Sequence, residues 1–427
     1  MNKPKKNSQL AQRLYGGFGW ATLGSGVSQI LTLISMIIVA RLIGKEDYGQ
    51  FILVQSTLVM FGTFAGFGIG TTATRYIASL KNKDKKRLGE ILLLCKRSVF
   101  AFGIIIVGAM IFTSSIIAEE FLNVKTLSLP IAFASVSIFF TALDGYQKSI
   151  LIGFESMRTL AIASIAGAAL GIPILFLGAS KLGLDGLALG LSANAFIQAI
   201  ISRAYSRREL TKNGIILKAD NSLKEWLILR DFALPALLAG AMISPAHWVS
   251  QAMLTKTDDG LSQVAILGIA MQWFSAVLFL PMISGKVVAP ILTQYVTENR
   301  PADSKRLLIL AIKANTIIAV PVAVALVLLS PWILSFYGSD YSDANWTFRL
   351  VMVTAALLAI QAPVGNVVIA TSKMWLGLIM NFAWAAIYIA LSYKLIKYGS
   401  TGVATGLCVA YIVHASWTFV FAAKHIK

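Results

Sequence analysis

The sequence is short of charge, short of acid and nearly without cysteine, and each shortage closes a class of protein. Only 13% of its 427 residues are charged, against 57% hydrophobic, and the mean hydropathy is +0.75. Soluble domains carry roughly 25% charged residues, so a water-soluble globule is excluded. Disorder needs many charges and few apolar residues, so it is excluded too. Cys95 and Cys408 cannot build a disulfide framework, and neither sits in a metal-spaced cluster. No cofactor is expected. No cleavable leader is read either: MNKPKKNSQLAQR is polar and basic, and the apolar run behind it is too long for a signal sequence.

What is present is apolar length. A spanning helix needs ~20 mostly apolar residues, and twelve such runs occur: 16–40, 49–79, 90–117, 127–150, 157–180, 184–206, 230–255, 261–295, 305–335, 344–370, 373–395 and 401–423. The second, eighth and ninth exceed one straight crossing. Tilt, kinks at Pro281, Pro290 and Pro321, or a projecting turn would absorb the excess. Lys and Arg number 37 against 19 Asp and Glu. With both termini inside, 29 of those 37 basic residues fall on the inner side. Basic residues collect in cytoplasmic loops, so the imbalance reports topology and not nucleic-acid binding. The expectation is an all-α, multi-pass protein of the cytoplasmic membrane, with both termini cytoplasmic.

The outer loops are short, which leaves no external domain to hold a glycan polymerase's catalytic groups. The inner loop after residue 206 divides the chain into an N-terminal lobe (1–206), a linker (207–229) and a C-terminal lobe (230–427). At an offset of 216, Lys181, Gly183, Gly186, Ala188, Gly190 and Leu191 match Lys397, Gly399, Gly402, Ala404, Gly406 and Leu407. Six spans per half is an even number, so the halves form a parallel repeat. The implied architecture is two six-helix lobes around a central cavity, working by alternating access. The small residues serve close helix packing.

The stretch Arg41–Phe51, RLIGKEDYGQF, and the glycine-rich FGTFAGFGIGTTATRYIAS of Phe61–Ser79 carry a resemblance. Together with the twelve-span layout, they resemble the polysaccharide-exporter branch of the MATE-like MOP superfamily, the Wzx-type O-antigen flippases of the bacterial inner membrane. The resemblance implies a cargo: an oligosaccharide linked to undecaprenyl pyrophosphate, moved from the inner to the outer leaflet. It also implies that the first, second, seventh and eighth spans surround the cavity. Polymerase and chain-length machinery would be partners of such a pathway. H+ or Na+ coupling is left open.

Charge buried in a span costs about 2.5–3.5 kcal/mol on insertion scales, so ionisable residues there are the first candidates. Lys286, on the eighth span, lies twelve residues before Glu298, or ~18 Å along a helix. It either pairs with a lipid pyrophosphate or snorkels to the cytoplasm. Arg75, near the inner end of the second span, either guides the head group or holds inner-leaflet phospholipid. Lys148 follows Asp144 by four residues, the spacing of a facing pair, which suits a structural ion pair better than a substrate contact. Lys313 and Arg349 lie near span ends and read as interfacial. Ser25, Ser28, Gln29, Thr32 and Ser35 share one face of the first span; Ser244, His247, Gln251 and Thr255 share one face of the seventh. Such faces meet either water and sugar hydroxyls or another helix. Gln272, on the eighth span, is a further polar cavity candidate. His247 either couples transport to protons or packs; His414 packs.

A drug or cation antiporter of the same superfamily would need carboxylates in its spans. The first span has none from Gly16 to Ala40, and the seventh none after Asp231. A lipid II-type flippase is closer in chemistry, but usually has more than twelve spans. A membrane glycosyltransferase would need clustered acids; Asp258–Asp259 and Glu119–Glu120 stand apart from any such cluster and read as solvated loop charges. An anionic, lipid-linked glycan is the cargo that the signs favour, and the protein is not read as an enzyme.

Overall fold

The computed structural model describes residues 4–66, 68–217, 225–230, 242–371 and 373–425, and within them the chain is helical throughout, with no strand. Hydrocarbon offers the backbone no partner, so each spanning segment must satisfy its own amides and carbonyls, as a helix does. The helices are α1 (Pro4–Ile43), α2 (Lys45–Gly66), α3 (Ile69–Leu80), α4 (Lys85–Ile116), α5 (Ser128–Gly153), α6 (Met157–Lys212), α7 (Ile243–Leu254), α8 (Gly260–Thr297), α9 (Pro301–Leu328), the short α10 (Ser330–Ser335), α11 (Asn345–Ala370), α12 (Met374–Lys394) and α13 (Gly399–His425). Ten helical segments among the described residues are long and apolar enough to cross a membrane. Much of the expected seventh span, 231–241, lies outside the described residues.

One of the ten, α6, contains two crossings. Its 56 residues are interrupted at Gly183, where φ is 56° and ψ is −129°. That backbone geometry is open to glycine and closed to almost everything else. The two halves then run back along each other. A Cβ on Gly178 would lie 2.3 Å from the Gly186 carbonyl oxygen, while Gly171 faces Asn194 and Gly167 faces Gln198. The same device recurs 216 residues on. Gly399 has φ 58° and ψ −141°, and a Cβ on Gly402 would lie 2.0 Å from the Leu395 carbonyl oxygen. The sequence repeat is thus a repeated helical hairpin.

The expected second span, 49–79, is broken: α2 stops at Gly66 and α3 starts at Ile69, with Gly68 left-handed between them. Its excess length is absorbed there. The eighth span takes a different course, since α8 runs unbroken from Gly260 to Thr297. α9 likewise continues through Pro321. Ser284 donates to the Pro281 carbonyl at 2.8 Å and to Asn315 Oδ1 at 2.7 Å, and Asn315 Nδ2 donates to the Ala359 carbonyl at 2.9 Å. These bonds tie α8, α9 and α11 together beside the prolines.

The chain divides into two compact units, Met1–Val39 with Thr57–Glu120 and Lys125–Ala241, and Ala40–Ser56 with Phe121–Val124 and Met242–Lys427. In the first, Ile77, Leu88, Leu92, Ile150 and Leu210 form a core from α3, α4, α5 and α6. In the second, Leu292, Leu308, Val364, Met380 and Phe421 do so from α8, α9, α11, α12 and α13. Leu92 and Leu308, one repeat apart, occupy corresponding places.

Candidate functional site

The polar face of the first span lines a cavity within the first unit. Ser25, Ser28, Gln29, Thr32 and Ser35 of α1 meet Lys148 of α5 and Ser164, Asn194 and Gln198 of α6 around about 310 Å³. The sequence builds this space with glycine. Gly24 sets α1 tightly on Ala161, and Gly167 and Gly171 make room for Gln198 and Asn194 across the α6 hairpin. Ser28 and Thr32 donate to the carbonyls of Gly24 and Ser28, at 2.8 and 2.9 Å, so their lone pairs remain for other donors. Two buried oxygens here, Ser35 Oγ and Asn194 Oδ1, have no hydrogen-bond partner.

The cavity's cation is already paired. Lys148 Nζ lies 2.7 Å from Asp144 Oδ2 and 3.5 Å from Gln198 Oε1, and Ser202 Oγ donates to Asp144 Oδ1 at 2.5 Å. Among the described residues, no carboxylate lines the cavity itself. The polar part of its wall is hydroxyl and amide, Met36, Ala168, Gly171, Leu175 and Leu191 make the rest, and the one cation among the described lining residues is held in place by the acid behind it.

In the second unit, His247 of α7 sits against Trp384 and Tyr388 of α12, with ring centroids 5.8 and 5.3 Å away. Trp384 in turn meets Tyr411 at 5.1 Å. Gln251, one turn along from His247, is buried, and its Oε1 and the Trp384 indole nitrogen have no partner. Trp384, Tyr388 and Tyr411 carry no sequence signal that separates them from packing aromatics. Ser164, Asn194 and Gln198 were also missed, although Asn194 and Gln198 stand one turn apart within the spanning part of α6. His414 bonds Gln361.

Other expected residues lie elsewhere. Gln272 Nε2 donates to the hydroxyl of buried Tyr48 at 2.7 Å, which ties α8 to the start of α2. Tyr48 belongs to RLIGKEDYGQF, and that motif acts as a clamp within the second unit. Arg41 donates to the carbonyls of Phe336 and Ser335. Lys45 pairs with Asp343 at 2.9 Å and donates to the Asp340 carbonyl at 2.8 Å. Gly49 is pressed so close to α8 that a Cβ would lie 2.0 Å from the Leu261 carbonyl oxygen. Arg75 is exposed on α3. Arg349 donates to Ser330 Oγ at 3.0 Å and covers the Trp346 ring. Lys286 lies in α8; its side chain is outside the described residues.

The chain is similar to known transport proteins. The EPS I polysaccharide export inner membrane protein EpsE of Ralstonia solanacearum is 24% identical over 91% of this chain and 89% of its own length. Stage V sporulation protein B of Bacillus subtilis is 20% identical over 33% of this chain and 27% of its own. Two solved structures share the fold. An inward-facing multidrug resistance MATE family transporter of the MOP superfamily has a TM-score of 0.77 at 16% identity, covering 95% of this chain and 98% of that one. The lipid II flippase MurJ, in an inward closed conformation, has a TM-score of 0.72 at 15% identity, covering 95% and 87%. The MatE family matches residues 235–410. The polysaccharide biosynthesis protein family matches residues 14–296, two thirds of the sequence, and the chain belongs to it.

Proposed function

We propose that this protein is a flippase of the bacterial inner membrane that carries an undecaprenyl-pyrophosphate-linked oligosaccharide from the inner to the outer leaflet by alternating access. The observation that carries the reading is the cavity of the first unit, whose polar lining is hydroxyls and amides beside a few apolar side chains, with no carboxylate among the described residues. Sugar hydroxyls both donate and accept. Ser35 Oγ and Asn194 Oδ1 are buried without partners, and leaving such a group unmet costs about 1–3 kcal/mol. A sugar supplies what they lack. A cationic drug would find no acid to meet it, since Asp144 is held by Lys148 and Ser202. The similarity to polysaccharide export and lipid II flippase proteins supports the same class of cargo. The orientation with both termini in the cytoplasm rests on the distribution of basic residues, and the division into lobes of 1–206 and 230–427 remains part of this reading.

The test is reconstitution. In vesicles holding a fluorescent undecaprenyl-pyrophosphate oligosaccharide, the wild-type protein exposes the sugar to an external quencher. An Asn194→Leu/Gln198→Leu variant does so at least ten times more slowly, at equal insertion. Transport of a cationic dye without movement of the glycan lipid would instead establish the antiporter.

A further inference from the structure

A second cavity, of about 530 Å³, opens in the first unit and shares no residue with the polar one. It lies among α4, α5 and α6, toward the end where residues 213–217 return over α4. Lys96, Arg203 and Arg207 supply three positive charges, and no carboxylate lines the space among the described residues. Gln147 stands in the same wall, buried, with its Oε1 unpartnered. Arg203 and Arg207 are exposed at the mouth, and Lys96 Nζ rides over the Phe100 ring at 5.9 Å.

Phe100 continues this cationic mouth into hydrocarbon. Lys96, Phe100, Ile104 and Ile111 share one face of α4, and Phe100, Ile104 and Ile111 are 37%, 61% and 48% exposed. Phe100 and Ile111 are about 16 Å apart along the helix axis, enough to lie beside most of an acyl chain. A soluble anion would use the three cations and leave the apolar stripe bare. A neutral lipid would cover the stripe and leave the cations unmet, and phosphatidylcholine would bring a phosphate already balanced by its own ammonium, with no hydroxyl for Gln147 Oε1.

We propose that this groove binds an anionic phospholipid of the phosphatidylglycerol type: Lys96, Arg203 and Arg207 take the phosphate, Gln147 Oε1 accepts from a head-group hydroxyl, and one acyl chain lies along Phe100, Ile104 and Ile111. Arginine suits the phosphate because its fork donates two parallel bonds. On the positive-inside orientation, the lipid comes from the inner leaflet, where basic pockets between spans hold anionic head groups. The assignment does not depend on the transported cargo.

Native mass spectrometry of the full chain, titrated with phosphatidylglycerol and phosphatidylcholine of equal acyl length, tests it. The expected result is at least a tenfold preference for phosphatidylglycerol, falling at least fivefold in Arg203→Gln/Arg207→Gln and largely kept in Arg203→Lys/Arg207→Lys. If the double glutamine variant does not fold, Lys96→Gln gives the same reading with a smaller loss. Equal binding of the two lipids, or an unchanged preference in a folded charge variant, overturns the proposal. So does displacement by millimolar inorganic phosphate, which makes the site one for free anions. Preferential occupancy by undecaprenyl phosphate over phosphatidylglycerol overturns it as well, and gives the groove to the cargo.

Discussion

Asp144 and Lys148 show how little room a spanning helix leaves for an isolated charge. Both are largely buried, at 10% and 22% side-chain exposure, and they meet at 2.7 Å. Removing one partner from a buried pair strands the other, at a cost of about 3–5 kcal/mol, whereas replacing both is far milder. Lys148→Met should therefore lower the thermal midpoint in detergent markedly, and Asp144→Asn/Lys148→Met should regain most of the loss. If the double variant is no better than the single one, the pair is not the structural unit described here. The pair itself was legible, because four residues on one helix fix its geometry. Its surroundings were not: Ser202 and Gln198 lie 58 and 50 residues from their partners Asp144 and Lys148, a distance no local pattern crosses. Gln272 shows a partner that its span did not announce: its Nε2 donates to Tyr48, 224 residues away in sequence, while its Oε1 stays without one.

The helical hairpin is the element that the repeat preserved, and glycine is what makes it possible. Gly183 and Gly399 hold nearly the same positive φ, and such a conformation costs a residue with a Cβ of order 1–3 kcal/mol. Gly186 and Gly402 meet the preceding helix at backbone distance, so a side chain there forces the helices apart. Gly183→Ala and Gly399→Ala should each lower the thermal midpoint by a few degrees, and Gly186→Val and Gly402→Val by more. An alanine variant as stable as wild type would mean that the turn can relax to a geometry unlike the one seen. The six matched residues were visible because the turn, the close approach and the buried alanines all restrict side-chain choice. The break at Gly68 was not visible, because FAGFGIG offers several glycines and only packing selects one. Pro281 and Pro321 offered kinks as one way to take up the extra length, beside tilt or a projecting turn, and α8 and α9 each run through them as one continuous helix.

For the whole molecule, the sign of its charge becomes a transport question. The chain carries a net +18, but the cargo senses only the cations that meet it in transit. A pyrophosphate diester brings negative charge into a low-dielectric slab. The inside-negative membrane potential favours its outward movement by about 2.3 kcal/mol per net charge per 100 mV. A cation that travels with the cargo cancels that drive, whereas one fixed in the protein lowers the barrier and leaves the drive intact. Lys286, read from its place in α8, is proposed as a fixed cation of this kind. Outward flipping in vesicles should therefore quicken as an inside-negative potassium diffusion potential is imposed with valinomycin. Lys286→Ala should abolish glycan export while inserting normally, and Lys286→Arg should keep part of it. Normal export by Lys286→Ala removes this lysine from the mechanism. A wild-type rate indifferent to potential means that no net charge crosses, and that a counter-ion moves with the glycan lipid.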